Sequence, residues 1–147
     1  MALWDEVVAA YARPGVPEIC LQLQDEFGQN TSLLLWAAMA RPGDEAVLAR
    51  GAAAARSWDE TALKPLRAVR RALKPPCPPV ADAAREGLRE DVKAAELRAE
   101  RVLVETLEGL SGGDRDASAL AAVTAAARAW GQPVPSEALA ALVAALA

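Results

Sequence analysis

A chain of 147 residues with a formal net charge of -4 and 53% hydrophobic content holds one domain's worth of core-forming side chains. This composition excludes a disordered, collagen-like or disulfide-built protein. The absence of histidine, together with only two cysteines and six aromatic residues, removes most of the usual parts for nucleophilic catalysis and metal binding.

Alanine occurs 36 times, leucine 19 times and isoleucine once, which is helix-forming composition and predicts an all-α fold of about eight helices. The opening Met1-Ala2-Leu3-Trp4-Asp5-Glu6 carries acids where a secretory signal would carry lysine or arginine, so a cytoplasmic location is expected. Uncharged apolar stretches such as residues 33–40 are far short of the roughly 20 residues a membrane span needs. Leu3 to Arg13 reads as the first helix, stopped by Pro14-Gly15. Pro17 suits a first helical turn and opens a second helix that closes at Gly28, with Cys20 as a small core residue on it. Asn30, Thr31 and Ser32 can cap a third helix over Leu33 to Ala40, which Pro42-Gly43 ends.

Asp44 caps a fourth helix running to about Ser57. Ser57-Trp58-Asp59-Glu60 then offers a capping box into a further helix that ends before Pro75 and starts late or kinks at Pro65. Pro75-Pro76-Cys77-Pro78-Pro79 cannot be helical and divides one domain, residues 1–147, into halves at 1–74 and 80–147. The second half opens with the longest helix, Val80 to about Leu110. Its stripe Ala84, Leu88, Val92, Ala95, Ala99, Leu103, Leu107 and Leu110 should join Leu33 to Trp36 in the hydrophobic centre. Its other face pairs Asp82 with Arg85, Glu86 with Arg89, Glu90 with Lys93 and Arg101 with Glu105 at helical spacing. Two alanine-rich helices follow, about Asp116 to Trp130 and Ser136 to Leu146, with Gly131, Pro133 and Pro135 between them.

Three sets of residues are candidate sites. Lys64, Arg67, Arg71 and Lys74 share one helix face in the acid-free run between Thr61 and Val80. The segment 59–79 carries +3, five bases less two acids, in an acidic chain. Such a stripe suits an anionic partner, and its bland explanation is a solvated face opposite acids of the long helix. Nucleic acid is disfavoured, because net charge is negative and no aromatic is interleaved with the bases. Gln24 and Asp25 stand beside the apolar stripe Ile19, Leu23 and Phe27, where they could line a small polar pocket or tie the following turn. Leu139, Leu142, Val143 and Leu146 form a stripe on a final helix with almost no hydrophilic face, a candidate interface for a second copy or a protein partner. No cofactor, metal site or catalytic constellation is expected.

The segments Leu3-Trp4, Tyr11-Ala12-Arg13-Pro14-Gly15-Val16, Cys20-Leu21-Gln22-Leu23-Gln24-Asp25, Gly28 and Leu33-Leu34-Leu35-Trp36 resemble the opening of an uncharacterised proteobacterial family. Pro65-Leu66-Arg67 with Arg70-Arg71-Ala72-Leu73-Lys74 is similar to that family's second block, although Ser32 replaces a more usual asparagine. The resemblance, mainly over residues 3–74, implies a small helical bacterial protein and supplies no activity. Arginine outnumbering lysine 13 to 3 agrees with a GC-rich bacterial source. The expected function is a non-enzymatic protein-interaction, adaptor or assembly role. The alternative is a small-molecule-binding protein or carboxylate-based enzyme with its pocket near Gln24 and Asp25.

Overall fold

A computed structural model describes residues 2–113 and 115–147. The chain is all-helical, with α1 (Leu3–Tyr11), α2 (Val16–Asp25), α3 (Thr31–Ala40), α4 (Glu45–Trp58), a π-helical segment (Asp59–Leu63), α5 (Lys64–Ala72), α6 (Asp82–Ser111), α7 (Ala119–Trp130) and α8 (Ser136–Leu146). The caps read at Asn30 and Asp44 are made, with Asn30 accepting from Leu33 N–H and Asp44 from Ala46 N–H; α7 starts later than the expected Asp116, at Ala119, with Ser118 as its cap accepting from Ala121 N–H.

Helix α3 is the centre. It is apolar on all sides, and a helix of that kind has to be enclosed by others. Leu33, Leu34, Leu35 and Trp36 are all buried, and α1, α4, α6 and α7 surround them. Gly51 on α4 lets that helix come up against the Trp36 ring, as the Gly51 to Ala55 run suggests. Helix α8 docks through Leu139 and Leu142 onto α2 and α7. Its Val143 and Leu146 are half-buried, and Arg13, in the turn after α1, donates to the carbonyls of Leu146 and Ala147 at its C-terminal end.

Two further expectations are corrected. No capping box forms at Ser57, because α4 runs without a break into the π-helical segment and on into α5. Pro65 is the physical cause: it has no N–H to donate and its ring crowds the carbonyl four residues back, so the turn before it widens and Lys64 N–H bonds to Asp59 O instead. The apolar stripe of α6 enters the core only from Ala99 onward, through Leu103 and Leu107. Ala84, Leu88 and Ala95 are exposed, on the half of α6 that Arg85–Leu73 and Arg70–Glu96 tie to α5. The four acid-base pairs of α6 are all made. One member is not solvated: Arg85 is buried and also donates through Nε to Leu73 O, closing the end of α5.

Candidate functional site

Two of the three candidate sets meet in one cleft of about 510 Å³. Gln24 lines it from α2, and Lys64 and Arg67 line it from α5. Asp25 stands outside, exposed, with its carboxylate 3.9 Å from Arg71. Arg71 and Lys74 point away from the cleft lining into solvent. The basic stripe is therefore divided: Arg67 is half-buried in a wall, Lys64 pairs with Asp59 and Glu60, Arg71 pairs with Asp25, and Lys74 is exposed.

The first wall is the turn after α2. Gly28, at φ +62°, lets its own N–H reach Gln24 O (3.2 Å) and the Gln29 N–H reach Leu23 O (3.0 Å), the paired bonds of a glycine-terminated helix. The chain then turns Gln29 inward, and Asn30, Thr31 and Ser32 begin α3 along the same side. Gln29 donates through Nε2 to Gln132 O at 2.7 Å, while its buried Oε1 has no partner. Trp130 at the end of α7 donates to Gly28 O at 2.7 Å and fixes that turn. Arg56 of α4 lies over the Trp130 ring at 5.4 Å and donates to Trp130 O at 2.7 Å, tying the ends of α4 and α7 together.

The opposite wall is the π-helical segment. Its extra residue per turn places Asp59 and Leu63 on the inner side, where both are buried. Trp58, just before it, donates to Ala99 O at 2.8 Å and so fastens the segment to α6 beside Glu100. Asp59 is held above the usual carboxylate range by burial, an effect that Arg67 and Lys64 partly offset. Glu100 is pushed up to about 7, first by desolvation and then by repulsion from Glu96, against the pull of Arg67 and Arg70. At neutral pH that carboxyl is able both to donate and to accept a proton.

The cleft thus has carboxyls at Asp59, Glu60 and Glu100 interleaved with cations at Arg56, Lys64 and Arg67. Among the described residues no group of three or more metal-binding side chains is assembled, and the interleaved cations oppose one here. Sequence reasoning finds Gln24 and the two cations but misses Gln29, Asp59 and Glu100. An aspartate and a glutamate in amphipathic helices read as solvated charges, and the wide turn forced by Pro65 was the only local signal that could have turned Asp59 inward. The stripe of α8 is partly inward too: Leu139 and Leu142 are buried, and Ala140, Ala141 and Ala144 are exposed.

A model of a protein family of unknown function, DUF2390, matches residues 2–107. No curated protein and no solved structure matches the chain.

Proposed function

The chain belongs to the DUF2390 family, and we propose that it is a small-molecule-binding protein whose polar ligand occupies the cleft between residues 28–32 and 59–67. One observation carries this reading. Of the buried polar or charged residues Gln29, Asn30, Ser32, Asp59 and Arg85, the first four all line that cleft. Asn30 caps α3 and Asp59 pairs with Lys64, but Gln29 Oε1 has no partner among the described residues. Leaving such a buried acceptor unpaired costs about 1–3 kcal/mol, so gathering these groups at one solvent-connected space supports a ligand there. The π-helical segment supports the reading as well, since an inserted residue of this kind costs helix geometry and recurs at functional sites. Were a reaction to follow binding, Glu100 is the group suited to move a proton.

Ligand-observed NMR with mixtures of small polar metabolites tests the proposal. Hits are expected with the wild-type protein, with chemical shift changes at the amides of residues 28–32 and 59–64, and they should be lost in Arg67→Glu. Hits that persist unchanged in that variant, or that shift amides elsewhere, would overturn it.

A second reading, an adaptor that presents a helix face to another protein, is favoured by one feature. On the α5–α6 arm, Val69, Val80 and Leu88 are 46%, 49% and 51% exposed in the same region as Arg71 and Lys74. Its test is salt-dependent loss of a co-purifying acidic partner in Arg71→Glu/Lys74→Glu. Both readings are proposed for a bacterial protein, a source that the arginine excess supports.

A further inference from the structure

The polar groups of the cleft divide into those already committed and those left over. Arg56 is spent on the carbonyls that end α7, and Lys64 on Glu60 and Asp59. Among the described residues, Arg67 and Glu100 have neither a hydrogen bond nor an ion pair within 4.0 Å, although they lie near enough for the guanidinium to act on the carboxyl. Gln29 Oε1 is likewise without a partner among the described residues, an acceptor on a residue only 3% exposed.

The uncommitted charged groups are thus one planar, fork-shaped cationic donor and one carboxyl, joined in the same lining by a buried amide acceptor, while other uncommitted side chains, Gln24, Thr31 and Ser32 among them, are neutral. A guanidinium fork matches a carboxylate in two parallel hydrogen bonds. An ammonium group carries three donors and no acceptor, so it satisfies a carboxylate and an amide oxygen together. A neutral polyol would hydrogen-bond to these atoms but leave both charges without a counterpart. A simple anion or a simple amine would compensate only one of them. The cleft is roomy enough for the molecule that carries both: at about 510 Å³ it exceeds by an order of magnitude the roughly 30 Å³ share of one water.

We infer that the ligand is a small zwitterionic aminocarboxylate of the free amino-acid class, its carboxylate on Arg67 and its ammonium on Glu100 and Gln29 Oε1. The inference rests on the cleft being a binding site and specifies what binds there.

The test titrates the full chain with a set of free L-amino acids, following the backbone amides of residues 28–32 and 59–64. Matched primary amines lacking the carboxylate, matched carboxylates lacking the amine, and neutral hexoses serve as comparisons. At least one amino acid is expected to shift those amides and to bind tenfold or more tightly than either half-molecule. Glu100→Gln and Arg67→Ala should each weaken it at least tenfold, and Arg67→Lys, which keeps the charge and loses the fork, should fall between. Retained folding of the variants is read from the unshifted remainder of the same spectra. Shifts produced by hexoses, or equally by a half-molecule, would overturn the zwitterion while leaving the cleft reading intact. Cleft amides that respond to none of these probes would overturn the zwitterion, and failure of the wider metabolite mixtures as well would overturn both.

Discussion

Substituting glycine by alanine should have opposite signs at two helical positions of this protein. In a helix interior alanine is favoured over glycine by about 1 kcal/mol because it loses less backbone entropy on folding. At Gly87 in α6 an added Cβ meets nothing within 4 Å, so Gly87→Ala should gain about 0.5–1 kcal/mol. At Gly51 in α4 the same methyl group would lie 2.8 Å from Cη2 and Cζ3 of Trp36, and 3.4 Å from a Leu107 methyl. Comfortable carbon contacts are about 3.5–4.0 Å, so the ring has to move by more than half an ångström. Trp36 is 0% exposed and its own neighbours Leu33, Leu34 and Leu35 are just as enclosed, which leaves no free volume to move into. Overpacking costs about 1–3 kcal/mol, and a 2.8 Å approach to an enclosed ring belongs in the upper part of that range, so after the propensity gain of about 1 kcal/mol Gly51→Ala should lose about 1–2 kcal/mol. Urea denaturation followed by far-ultraviolet circular dichroism would read both changes as displaced midpoints at constant slope. A Gly51→Ala protein as stable as the wild type would refute the account of close helix approach at Trp36.

Other substitutions probe the core and the cleft. Leu23→Ala and Leu142→Ala, both at 0% exposure, should each cost about 2–5 kcal/mol, and a loss under about 1 kcal/mol at Leu142 would show α8 to be a loosely held appendage. Arg85→Met should weaken the docking of α5 on α6 by removing the donor to Leu73 O, visible as faster proteolysis within residues 64–81 with the rest of the chain resistant. Glu100 is faced by Tyr11 and Cys20 from α1 and α2, by Arg67 and Arg70 from α5, and by Glu96 on its own helix. Its carboxyl holds a proton more tightly folded than unfolded, so its contribution to stability is complete below its ordinary value of 4.5 and is lost as the pH rises to about 7. Glu100→Gln should remove that fall and be the more stable protein at pH 8; identical pH profiles for the two proteins would show the carboxyl to be solvated.

Most of the helix boundaries are legible in the sequence because each has a local chemical cause: Asn30 and Asp44 cap, and Gly28 and Gly131 terminate. The continuous passage from α4 to α5 is not, since a capping-box pattern at Ser57 and a wide turn before Pro65 fit the same residues, and packing of Trp58 on Ala99 decides between them. Half of the α6 stripe was misplaced for a related reason. Periodicity states which face is apolar and says nothing about whether a neighbour covers it, and Ala84, Leu88 and Ala95 in the first half of the stripe are left exposed. The cleft was half visible: Gln24, Lys64 and Arg67 stand out by type and spacing, whereas Gln29 acquires its character from Gln132, distant in sequence, and Glu100 from burial that tertiary packing imposes and the α5 arginines only partly offset.

Helix α6 crosses from an arm into the core, and the crossing falls at the cleft. Before Ala99 its side chains depend on α5 through Arg70–Glu96 and Arg85–Leu73, whereas from Ala99 onward they share the fate of Trp36 and Leu103. Backbone amides of residues 84–95 should therefore exchange with solvent through an opening that frees α5 and the front of α6 together, while those of residues 103–110 wait for the whole protein to unfold. Arg67 belongs to the unit that opens and Gln29 to the unit that does not, so a molecule gripping both would slow exchange in the arm far more than in the centre.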